Sequence, residues 1–301
     1  PIGGITKNGD GKELAEMYDM YHTGARAFSD GLHAIQNAGL LVKALQYLKA
    51  IDATVIQVPD DKSLNNQGLM NEGIVSTLLG LPGKPALAEE LMIARDIELA
   101  KYTGSKIHFT GVSTAKSIAL IRQAKNDGVA VSCSVTPYHL FFCDGDLKNY
   151  DTNLKVTPPL RTPEDRLALQ QAVLEGVVDC ITSHHIPQNR DEKLVEFEYA
   201  SPGMIGLQTS FAVVKTVLPT LTAERLAELF STNARRLFGL EERTIQKGAA
   251  ASVTLFQPNE KFTITAQDNR SRSANSPFFG KALTGRPFGI IHKDSLFLNE
   301  Q

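Results

Sequence analysis

A chain of 301 residues with a formal net charge of -2 and 42% hydrophobic residues has the apolar mass for one large core or two domains. That balance excludes the clustered Lys and Arg excess of a nucleic-acid surface, and no apolar run approaches the roughly 18 residues that span a bilayer. Three cysteines, Cys133, Cys143 and Cys180, stand in no CxxC spacing, so they are expected as small buried hydrophobes in a reducing cytoplasm rather than as a disulfide framework.

The N-terminal stretch PIGGITKNGDGKE has neither a signal-peptide pattern nor a start methionine, and the expectation is a chain that begins inside a longer one. A strand is predicted at 24–29 (GARAFS), then a helix over 38–51 and a strand at 53–58 (ATVIQV). The pattern repeats as helix 85–104, strand 106–111, helix 114–128, strand 129–135, helix 162–176 and strand 178–183. Gly104, Gly128 and Gly176 stand where a left-handed residue stops each helix. Thr162, Pro163 and Asp165 read as an N-cap, a first helical residue and a capping-box partner.

Alternation of this kind argues for parallel strands joined by right-handed crossovers, in either a (β/α) barrel or a doubly wound sheet. No GxGxxG follows a strand, so a dinucleotide fold gains no support. Polar residues gather just past the strand ends, at Ser29-Asp30, Pro59-Asp60-Asp61, Gly111-Val112-Ser113, Tyr138-His139 and His184-His185, where the active face of a barrel lies. Beyond about residue 240 the texture changes. The segments 245–264 and 271–292 turn and alternate like β structure, which divides the chain into a barrel unit at 1–244 and a small β unit at 245–301.

Nine stretches in order, among them GARAFSDG, DKSLNNQGLMNEG, IHFTGVSTAKSIALIRQAKNDGVAVSCSVTPYHL, NLKVTPPLRTPEDRLAL, VVDCITSHHIPQNRDEK and SANSPFFGKALTG, resemble the dihydroorotase family of cyclic amidohydrolases. The likeness is to the class whose members associate with aspartate transcarbamoylase. It implies an amidohydrolase-type (β/α)8 TIM barrel, incomplete here and running from the third strand to the eighth, with part of a small β-sandwich at the C-terminus. It also implies zinc chemistry, in which the metal lowers the pKa of a bound water and a carboxylate shuttles the proton.

Aligned on those motifs, Asp30 keeps an acidic position of the fourth strand, whereas the family's two single histidine ligands fall on Val58 and Gly111. His184 replaces the catalytic aspartate and Gln188 the second histidine of the eighth-strand motif. Asp30 and His184 are the metal-ligand candidates that remain, and the paired His-x-His strand would lie ahead of this chain. Thr157 replaces the substrate-holding asparagine of NPPLR, and with Arg161 and Gln188 makes up the candidate substrate contacts. Arg161 can equally cap a neighbouring helix or pair with a carboxylate at the surface. Gln208 stands where relatives usually carry glutamate.

Two readings of the histidines are open. His108, His139, His184 and His185 could surround a remodelled metal site. Alternatively His108 and His139 are core residues bonded to backbone, and the His184–His185 pair is a turn; by strand alternation His108 points away from the neighbours of Gly111. The reading favoured is a degenerate, non-catalytic partner of aspartate transcarbamoylase in pyrimidine biosynthesis, acting in the cytoplasm and as a homo-oligomer. The alternative is an active metal-dependent cyclic amidohydrolase with a remodelled site, converting dihydroorotate and carbamoyl aspartate.

Overall fold

The computed structural model describes residues 1–299; Glu300 and Gln301, the last two residues of the expected C-terminal unit, lie outside them. The chain runs β1 (Ile2–Gly3), α1 (Met17–His22), β2 (Ala27–Phe28), α2 (Ala38–Lys49) and β3 (Thr54–Gln57). A short excursion follows: β4 (Met70–Asn71), α3 (Ile74–Leu79) and β5 (Gly83–Lys84). The main alternation resumes with α4 (Leu87–Thr103), β6 (Ile107–Thr110), α5 (Ala115–Asn126), β7 (Val131–Val135), α6 (Pro137–Phe141), α7 (Pro163–Leu174) and β8 (Cys180–Ile181). The helices α8 (Ser210–Val217), α9 (Ala223–Ala227) and α10 (Asn233–Leu237) lead to β9 (Ser252–Thr263), β10 (Ala282–His292) and β11 (Ser295–Leu298).

Six strands form one sheet in the order β1-β2-β3-β6-β7-β8, every neighbouring pair parallel. Their short β-branched runs are buried on both faces, as parallel strands under helices must be. Ile107 and Phe109 face the outer helices, where they pack in one core with Ile93, Ile97, Ile118 and Ile121. His108, Thr110, Ser132 and Ser134 therefore line the opposite, inner face, because residues two apart share a side of a strand.

The helix ends follow the expected chemistry. Asn37 caps α2 by accepting from the amide of Leu40, and Thr114 caps α5 by accepting from Ser117. Thr162 and Asp165 complete a reciprocal capping box ahead of α7, with Pro163 in its first turn. Gly104, Gly128 and Gly176 take left-handed φ values of 63°, 76° and 80° at the helix stops.

The C-terminal strands form a separate antiparallel sheet, β11-β10-β9. It is fastened to the barrel unit: the Thr284 amide donates to Thr216 Oγ1 at 2.8 Å. Phe278, Leu283 and Ile264 join Tyr138, Phe142, Met204 and Val213 in a second apolar cluster. Cys133 and Cys180 are buried, and burial pushes both thiols up to about 12. Cys143 departs from the expectation; it is only partly buried, at the start of a short helical turn. No helix among the described residues is long and apolar enough to cross a membrane.

Candidate functional site

Parallel strands point their C-terminal ends to one side of the sheet, where the residues just beyond β2, β3, β6 and β8 lie. Asp30, after β2, is buried and fully engaged. Its Oδ1 accepts from the amides of Ile5 and Thr6 at 2.8 and 2.9 Å, and its Oδ2 accepts from Thr6 Oγ1 at 2.5 Å. The carboxylate thus ties β2 to the segment after β1 rather than facing an open mouth. Val58, after β3, is buried and presents only hydrocarbon.

Gly111, after β6, takes a left-handed φ of 73°. A Cβ built on it would overlap Cε1 of the His184 ring. His184 follows β8 with a φ of 35°, an uncommon region for a residue with a side chain. Its Nε2 hydrogen-bonds Thr110 Oγ1 at 2.9 Å, while its Nδ1 is buried without a partner.

The bond to Thr110 is the end of a longer chain on the inner face. The Ser134 hydroxyl donates to Thr110 Oγ1 at 3.1 Å, and His108 bonds Ser134 Oγ through Nε2 at 3.0 Å and Ser132 Oγ through Nδ1 at 2.8 Å. This corrects two expectations. His108 bonds hydroxyls rather than backbone, and it shares the face of Thr110, the residue next to Gly111. Burial holds the two rings neutral, lowering His108 to about 3 and His184 to about 4.

His139 is held apart from this chain. Its Nε2 donates to the carbonyls of Pro158 and Pro159 at 3.1 and 3.3 Å, so Nδ1 accepts from the Thr136 hydroxyl at 2.8 Å. Burial lowers its pKa to about 3. The Nδ1 of His185 accepts from the Gly206 amide at 3.1 Å, turning that ring towards a cavity of about 220 Å³ also lined by Leu207, Gln208, Arg270 and Phe279. Gln208 fastens the rim of this cavity through Arg270 N and Asp268 O.

Arg161 is neither a surface residue nor a helix cap. It is 3% exposed; Nε donates to Ser113 Oγ at 3.1 Å, and Nη1 to Asn71 Oδ1 at 3.1 Å and to the Lys84 carbonyl at 3.0 Å. No carboxylate lies within ion-pair distance of it among the described residues; Glu89 is reached only through Ser113, whose amide and hydroxyl both bond it. Thr157 borders a cleft with Val58 and Arg161, but the space there is about 10 Å³, room for roughly one water. The Gln188 side chain donates to the Pro202 carbonyl at 2.8 Å. Arg161, Thr157 and Gln188 are thus engaged or confined, not gathered around an open pocket.

A family model described as "Dihydro-orotase-like" matches residues 1–117. A dihydroorotase of Pelotomaculum thermopropionicum is 42% identical over 294 residues, 97% of this chain and 69% of that one. A dihydroorotase of Caldanaerobacter subterraneus subsp. tengcongensis is 41% identical over 288 residues, 95% of this chain and 67% of its own length.

The chain belongs to the dihydroorotase family.

Among solved structures, the L-hydantoinase (dihydropyrimidinase) of Arthrobacter aurescens superposes with a TM-score of 0.84 at 24% identity, over 98% of this chain and 68% of its own. The six parallel strands are thus part of an amidohydrolase-type (β/α)8 TIM barrel, with the antiparallel C-terminal sheet beside it. The dihydroorotase family is normally zinc-dependent, and the residues present do not fit that ion. Zinc takes about four donors, nitrogen, sulfur or oxygen, at about 2.0–2.3 Å. Here one position is hydrocarbon, one is bare backbone, and the retained carboxylate is already bonded to β1's flank. Among the described residues no group of three or more His, Cys, Asp or Glu side chains is placed to share a metal.

The inner-face hydroxyl chain lies outside the motif-based expectation. Its signal is present, since His108 with Thr110 and Ser132 with Ser134 show period-two polarity in otherwise apolar strands.

Proposed function

We propose that this dihydroorotase-family barrel is not a working metal hydrolase and serves in the cytoplasm as a non-catalytic partner of aspartate transcarbamoylase. A second copy of the chain is the other partner this reading proposes. One observation carries the first half: where the family places histidine ligands, this chain has Val58 and Gly111, and the His184 ring covers the second of them. Zinc cannot take the family's histidine ligands from side chains that carry no donor atom. The association itself rests on the sequence likeness to the dihydroorotase class that binds that transcarbamoylase.

An active dihydroorotase is the rival reading, and the comparisons favour it. The relatives that are 42% and 41% identical over nearly the whole chain carry that name. It would need a donor set other than the family's. The two readings separate in one preparation of the full chain. Co-purification with the transcarbamoylase and no ring opening of dihydroorotate supports the first; zinc-dependent turnover supports the second and removes the first.

A further inference from the structure

His184 and Gly111 stand 73 positions apart in sequence, yet the ring of the first lies against the backbone of the second. Gly111 is left-handed, and its amide and that of Val112 both donate to the Ser134 carbonyl at 3.0 Å, so this backbone is fixed to β7. A Cβ at 111 would overlap His184 Cε1 and would stand 3.1 and 3.2 Å from the ring nitrogens. The closest atom is Cε1, the outer tip of the ring, with the two nitrogens flanking it, so the whole ring would have to turn or shift to admit a Cβ. The ring cannot swing aside freely. Thr110 Oγ1 holds its Nε2, and Ser134 in turn holds Thr110. The price of this arrangement is visible in the buried, unpartnered Nδ1 and in the positive φ of His184.

We propose that Gly111 and His184 are a mutually exclusive pair: the imidazole plugs the end of β6, and that volume admits either this ring or a side chain at position 111. The proposal deepens the reading of a non-hydrolytic barrel and rests on it for its functional meaning. A side chain with a donor atom cannot return at 111 by one substitution, because the plug must first be removed. A second consequence concerns the space itself. With the ring deleted, an imidazole-sized gap remains over Gly111, with Thr110 Oγ1 at one end.

Thermal unfolding of four full-length proteins tests the pair: the native chain, Gly111→Ala, His184→Ala and the double variant. The strain of alanine at a left-handed position is the same in both backgrounds, so the comparison isolates the overlap. Gly111→Ala is expected to lower Tm by about 5 °C or more in the native background, where the ring is present. In the His184→Ala background the same change is expected to lower it by about half of that or less. Equal losses in the two backgrounds overturn the proposal. Should Gly111→Ala fail to fold in the native background, His184→Gly decides instead. Free imidazole at millimolar concentration is expected to raise the Tm of that variant and to leave the native protein unchanged; no selective rise overturns the plug. Dihydroorotate turnover by the native chain would remove the non-hydrolytic reading and leave these stability differences as they are, so the two failures are distinguishable.

Discussion

Asp30 keeps its place in a family motif and bonds the protein's own backbone. With three donors from Ile5 and Thr6 converging on it, Asp30→Ala leaves two buried amides and a hydroxyl without acceptors. Loss of about 2–4 kcal/mol of stability is expected by urea unfolding, with Asp30→Asn milder because one carbonyl oxygen remains. The buried histidines set the response to pH. His108, His139 and His184 have pKa values pushed down by burial to about 3, 3 and 4. Each would take up a proton at about 6.5 when unfolded. Between those limits the unfolded chain binds more protons, so their stabilising effect is complete above about 6.5 and is lost as pH falls towards about 4. Asp96 opposes them: burial pushes it up to about 6, so from about 4 to 6 the folded state keeps a proton that the unfolded chain has released. Three groups outweigh one, and the urea midpoint is expected to fall steadily from about pH 7 to about pH 5. His139→Gln should flatten that slope; an unchanged slope would show that this ring is not held neutral. The substitutions at 58, 111 and 184 were legible in the sequence. The overlap of His184 with Gly111 was not, because it depends on how two strand ends meet.

At the scale of elements, local chemistry was readable. Periodicity marks α2, α4, α5 and α7 to within a few residues, helped by the left-handed stops Gly104, Gly128 and Gly176 and by the Thr162 cap, which act on groups only a few positions away. The Thr162–Asp165 box gives a direct check: Thr162→Ala is expected to cost about 1 kcal/mol, measured as a shift in the unfolding midpoint with an unchanged m-value. Strand lengths were less readable. The run 178–183 yields only Cys180–Ile181 as strand, since Val178 bonds back to Ala172 of α7 and His184 turns away into a positive φ, although the amides of Asp179 and Thr182 still donate to β7. Counting from His108 to Gly111 gives the wrong direction for that histidine, whereas period two places it with Thr110. Arg161 shows the same limit, since its partners come from β4, β5 and the end of β6.

Across the whole molecule, Arg161 joins the excursion formed by β4, α3 and β5 to the barrel mouth. Asn71 also donates to Asp144, and Lys84 pairs with Asp60 at 2.7 Å, so the excursion is pinned by three polar links. Replacing Arg161 with methionine removes the central one. The loop at 62–69 is then expected to be cut faster by protease, at a rate that rises more than global unfolding explains. The parallel sheet and the separate C-terminal sheet were both legible from alternation and texture. The sharing of an apolar cluster by Phe278, Leu283 and the barrel's Tyr138 and Phe142 was not, for no local pattern reports which surfaces meet. The central claim concerns the mouth of that barrel, where Val58 and Gly111 bring no side-chain donor, the Asp30 carboxylate is already bonded and the Nδ1 of His184 stands alone. Its most direct test is zinc stoichiometry of the purified full chain after equilibrium dialysis against the metal, read beside dihydroorotate ring opening in the same sample. Well under one tightly held zinc per chain is predicted, with no turnover above a metal-free control. One zinc per chain with metal-dependent ring opening would contradict that claim.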